Sequence, residues 1–67
     1  MFGLHLPNNW VYVVYENGKP ENVANQDTLT EAEAKRFAET WSKARNTKVI
    51  MVNLVNSKGT VLKGYQQ

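Results

Sequence analysis

The 67-residue sequence has no cysteine and a single histidine, His5. A disulfide framework and a thiolate metal site are therefore excluded, and a lone imidazole near the N-terminus brings no second ligand or orienting partner with it. The lack of cysteine also fits a reducing compartment. No apolar run approaches the roughly 20 residues needed to span a bilayer; the longest are Val11 to Tyr15 and Val49 to Val52. The apolar start Met1-Phe2-Gly3-Leu4-His5-Leu6-Pro7 lacks the basic leader and the length of a signal peptide, so a cytoplasmic protein without a membrane partner is expected. Charge of one sign is scarce as well. Eight Lys and Arg against six Asp and Glu leave a net charge of +2, well short of a clustered basic patch.

Groups for chemistry are equally thin. Gly18 and Gly59 read as turn glycines, and no phosphate-binding loop surrounds them. Ser42 and Ser57 have no base within reach in any arrangement the pattern suggests. Glu31, Glu33 and Glu39 are explained by helix capping, the helix dipole and i,i+4 pairing, without a pocket that would perturb their acidity. No catalytic residue, metal site or cofactor is expected.

What is present is a pattern of strands around one helix. With 42% hydrophobic residues, the chain reads as a single domain over residues 1–67, near the lower size limit for folding unaided, with residues 1–8 flexible or laid over the rest. Trp10-Val11-Tyr12-Val13-Val14-Tyr15 contains only β-branched and aromatic residues and reads as the first strand. Glu16-Asn17-Gly18-Lys19 then predicts a two-residue type I′ hairpin. Counting outward, that turn sets Glu16 opposite Lys19, Val13 opposite Asn22, Tyr12 opposite Val23 and Val11 opposite Ala24. Pro20 marks the second strand as an edge strand.

From Thr28 to Arg45 the sequence reads as one amphipathic helix. Two overlapping capping boxes compete at its start, Thr28 with Glu31 and Thr30 with Glu33; Thr30 is preferred because it also makes Leu29 and Ala34 a hydrophobic staple. Ala34, Phe37, Ala38, Trp41 and Ala44 recur at helical spacing, and Asn46 is the expected left-handed stop. Lys48 to Asn56 forms a third, central strand. A turn over Asn56-Ser57-Lys58-Gly59 leads to a last strand from Thr60 to Tyr65.

The expected fold is α+β, a four-stranded antiparallel sheet in β-β-α-β-β order with spatial order 2-1-3-4 and the helix on one face. Phe37 and Trp41 should then pack on Val11, Val13, Ile50, Val52 and Leu54. Strict alternation gives the opposite face Trp10, Tyr12, Val14 and Met51, joined by Val61, Lys63 and Tyr65 if the last strand keeps step. A face this apolar needs a cover. The N-terminal segment with Phe2, Leu4 and Leu6, a second copy, and a foreign partner are the three candidates.

The order of signals also carries a resemblance. A Trp10-x-Tyr12 strand, an Asn-Gly turn, a helix opening Thr-x-x-Glu-Ala at Thr30 to Ala34 and spaced by alanines, then Val49-Ile50-Met51-Val52 and Gly59-Thr60-Val61, resembles small bacterial and phage single-domain proteins. The polar Glu21-Asn22 of the second strand departs from their commonest pattern. The element order is similar to that of small phage inhibitors of host enzymes, bacterial RNA polymerase among them, which implies protein binding; no functional residue is carried over from fold alone. Together these readings predict a non-enzymatic interaction or regulatory module. It would bind a protein or itself through Trp10, Tyr12, Met51, Lys63 and Tyr65. The alternative is a single-stranded nucleic-acid binder that stacks bases on Trp10, Tyr12 and Tyr65 and reaches phosphates with Lys19, Lys58 and Lys63.

Overall fold

The computed structural model describes residues 6–67. Five elements follow one another: β1 (Asn9–Tyr15), β2 (Glu21–Asn25), α1 (Glu31–Arg45), β3 (Val49–Asn56) and β4 (Val61–Gln66). They form one antiparallel four-stranded sheet in the order β2-β1-β3-β4, with α1 crossing from the β2 edge to deliver β3 beside β1. Among the described residues no helix is long and apolar enough to cross a membrane.

The helix starts and stops where its side chains can satisfy the free backbone groups. Thr30 Oγ1 accepts from the Glu33 amide at 3.1 Å while Glu33 Oε1 accepts from the Thr30 amide at 2.8 Å, a closed capping box. The Thr30 backbone N–H beside it holds the Glu33 carboxyl below its usual range. Leu29, just ahead of the cap, is buried with Ala34. At the other end Asn46 takes a left-handed conformation at φ 53°, and its amide turns back to Lys43 and Ser42. The Ser42 hydroxyl then accepts from the Val49 amide at 2.9 Å, joining the helix end to the start of β3.

Small side chains let the helix sit close to the sheet. Ala34 and Ala38 are its buried residues, and under them lie Val11, Val13, Tyr15, Val49, Val52 and Leu54. Phe37 and Trp41 are half-buried at the margin of this core, and Ala44, expected on the same stripe, is exposed. The core is thus largely aliphatic, with Tyr15 its one buried aromatic among the described residues and the two helical aromatics flanking it.

Three strands each carry one residue more than a regular ladder requires, and these extra residues account for the departures from strict alternation. In β2 the pairing steps from Val11 opposite Ala24 to Tyr12 opposite Asn22, so Val23 is extra. The two-residue hairpin is consequently overturned. Val13 pairs with Glu21, Asn17 has no positive φ, Gly18 sits at φ 118°, and the Glu16 amide donates to Lys48 O of the neighbouring strand end. Glu16 and Lys19 therefore do not flank a tight turn. In β3 the step from Met51 opposite Val14 to Val49 opposite Tyr15 makes Ile50 extra, so Val49 takes the core position expected for Ile50, which is 37% exposed. In β4 the step from Val61 opposite Val55 to Lys63 opposite Leu54 makes Leu62 extra. The second turn holds as expected. Asn56 Oδ1 accepts from the Lys58 and Thr60 amides, and Gly59 lies at φ 85°.

Of the N-terminal cover, Phe2 and Leu4 lie outside the described residues, and Leu6 is 70% exposed. The start of β1 is tied instead to the segment before the helix. The Asn8 amide donates to Asp27 Oδ1, Asn9 Nδ2 donates to the Asp27 carbonyl, and Asn25 Nδ2 reaches the Pro7 and Asn9 carbonyls.

Candidate functional site

The sheet face away from α1 is built from cross-strand rows, and the register alone decides its membership. Because Val11, Val13 and Tyr15 of β1 point into the core, Trp10, Tyr12 and Val14 point away from it. Their β3 partners are Val55, Asn53 and Met51, and their β2 partners are Asn25 opposite Trp10 and Asn22 opposite Tyr12. From β4 come Val61 opposite Val55, Gly64 opposite Asn53 and Gln66 opposite Met51. Trp10 and Val61 are 38% and 53% exposed. A shallow depression of about 410 Å³ runs between Trp10, Tyr12, Val14, Asn53 and Val55, with Pro20 at one end.

Two of the five expected contact residues are on the other side. Tyr65 lies opposite Val52 and Lys63 opposite Leu54, both core-facing positions of β3. The Tyr65 hydroxyl donates to the Leu29 carbonyl at 2.9 Å, and its ring packs against the core. Lys63 Nζ sits 5.7 Å from the centroid of that ring. The cause is the extra residue Leu62: it leaves Val61 on the open face as expected and turns every position after it to the opposite side. Trp10, Tyr12 and Met51 are on the open face. Val55 and Asn53 complete it, and the alternation from Val52 through Asn56 is the sequence signal that identifies them.

None of the described side chains on this face is charged: tryptophan, tyrosine, valines and a methionine surround Asn53, with Asn22, Asn25 and Gln66 on the outer strands. Lys19 belongs to the loop after β1, and Lys58 to the turn after β3. Since Asn9 pairs with Asn56 and Tyr15 with Val49, those two loops stand at opposite ends of the sheet. Gly64 has a steric task on this face. A Cβ there would lie 2.7 Å from Asn53 Oδ1, so its absence lets the Asn53 side chain extend over β4 next to the Met51 sulfur.

The charged chemistry gathers on the helix side, at the β2 edge. Glu21 accepts from the Tyr15 hydroxyl at 2.6 Å and from Arg45 through Nε at 3.0 Å and Nη2 at 2.6 Å, and the Arg45 guanidinium lies 5.2 Å from the Trp41 ring centroid. The Arg45 and Tyr15 hydrogen bonds hold the Glu21 carboxyl at a pKa of about 2. Burial and the facing Glu21 carboxylate push the Tyr15 hydroxyl upward. This is a structural clamp between β1, β2 and the helix end, and each partner is satisfied by the others. Among the described residues, no three His, Cys, Asp or Glu side chains come together as a metal site. Compared with known proteins, the chain matches no family model, no curated protein and no solved structure.

Proposed function

We propose that this chain is a non-enzymatic interaction module that binds a protein through the open sheet face carrying Trp10, Tyr12, Val14, Met51 and Val55. The observation behind this reading is the combination of an apolar face, the absence of any charge on it, and the absence of a described element over it. Soluble monomers rarely leave contiguous apolar patches beyond a few hundred Å² in water. A centre of aromatic residues, methionine and Asn53, with the amides of Asn22, Asn25 and Gln66 on the outer strands, also has the composition of a protein interface, where charges are depleted at the middle. Asn and Gln side chains both donate and accept, so these amides adapt to the backbone or side chains of a partner.

Tyr12 is at the centre of this face, between Asn22 and Asn53. A Tyr12→Glu chain should fold, because the position faces away from the core, yet lose a protein captured by the unaltered chain. A Lys35→Glu change on the exposed side of the helix should leave capture intact. Capture that survives Tyr12→Glu would sink the open-face reading.

A further inference from the structure

We infer that the outer edge of β4 pairs with β4 of a second copy of this chain, antiparallel about a two-fold axis at Gly64, an association distinct from the open-face docking proposed above. The phase of the β3–β4 ladder shows which backbone groups are available. The Gln67 amide donates to Ile50 O, so the residue pair 67 with 50 is a hydrogen-bonded one. Counting along the β3–β4 ladder from Gln67, Tyr65 with Val52 and Lys63 with Leu54 are the next pairs that point inward, and the N–H and C=O of Gly64 and Gln66 point away from the sheet. Every β4 residue except Tyr65 is exposed.

The two edges of the sheet are not equivalent. β2 has five residues, follows Pro20, is kinked by the extra Val23, and carries the Glu21–Arg45 ion pair at its margin. These are devices that blunt an edge against pairing; β4 shares a bulge, at Leu62, and carries an edge lysine, Lys63, but it has neither a proline nor an ion pair at its margin. β4 is interrupted only at Leu62, which leaves Lys63 to Gln66 as a regular stretch. Head-to-tail addition of β4 onto the next copy's β2 would meet the blunted edge, whereas β4 on β4 closes after two copies.

The side chains select a second copy as the occupant. Centred on Gly64, the pairing places Gly64 against its own symmetry mate with reciprocal hydrogen bonds, Gln66 against Leu62 of the second copy, and Lys63 against Tyr65 of the second copy. Lys63 lies over the ring of its own Tyr65, so its ammonium already has an aromatic partner when the two strands meet. No like charges fall directly opposite each other, since Lys63 is the only charged residue of the strand.

Sedimentation of the full chain over a range of concentrations, with amide exchange followed residue by residue, tests this. The expected result is a monomer–dimer equilibrium in which the Gly64 and Gln66 amides gain protection as concentration rises. Gln66→Pro removes an outward N–H and none of the β3–β4 bonds, and should raise the dimer dissociation constant roughly tenfold or more by deleting one bond from each copy. Tyr12→Glu should leave the dimer unchanged. A chain that stays monomeric to about 1 mM, or Gly64 and Gln66 amides that exchange freely in a dimer, overturns edge pairing and leaves the open-face reading standing. A dimer dissociated by Tyr12→Glu and not by Gln66→Pro overturns it too, and assigns self-association to the open face.

Discussion

Glu21 is a single exposed-edge carboxylate that accepts from Tyr15 on β1 and from Arg45 at the end of α1, so one side chain links three elements. Its acidity makes the link pH-dependent. The folded-state pKa of about 2 lies below the ordinary value of 4.5, so folding favours the ionised form. That contribution is complete above pH 4.5 and is lost as pH falls from there toward 2. Glu33, lowered by its place in the capping box, acts in the same direction. Glu21→Gln should therefore flatten, without abolishing, the acid limb of a stability-versus-pH curve measured by urea unfolding. An unchanged limb would show that the clamp does not form in solution. Nothing local in the sequence points to this pairing. Glu21 and Arg45 are 24 positions apart, and only the crossing of the helix over the sheet brings them together.

The helix was the most legible element, because its boundaries depend on neighbouring residues. Thr30, Glu33 and Asn46 each act within a few positions of themselves, and their roles follow from backbone groups that every helix end must satisfy. Thr30→Ala removes the cap acceptor and should cost about 1 kcal/mol, read as a fall in Tm of roughly 4–8 °C for a domain of this size. The strands were legible in place and pairing but not in phase. Side chains alternate with a period of two, so one extra residue at Val23, Ile50 or Leu62 reverses everything beyond it. That reversal moved Tyr65 and Lys63 to the helix side. Tyr65 gains a hydrogen bond to Leu29 and a place against the core, contacts that a regular ladder would have denied it.

At the scale of the whole molecule, one face of the sheet is closed by the helix and the other, among the described residues, carries no charged side chain. This separation argues against the nucleic-acid alternative. Binding single strands needs aromatic platforms and cations on one surface, whereas the open face keeps Trp10 and Tyr12 and has neither Tyr65 nor a lysine. Single-stranded oligonucleotides at low salt should accordingly leave the Trp10 fluorescence unquenched. Strong, salt-sensitive quenching would restore that reading. The sequence by itself determined the element order, the 2-1-3-4 arrangement, the helix caps and the presence of an apolar face beneath Trp10 and Tyr12, since these follow from composition, local hydrogen bonding and chain connectivity. Tertiary structure alone decided which β4 side chains join that face and which helix residue clamps the β2 edge. The physical reason is that bulges and long-range ion pairs form between strands and helix, where the packing of one element against another, rather than any local pattern, selects the register.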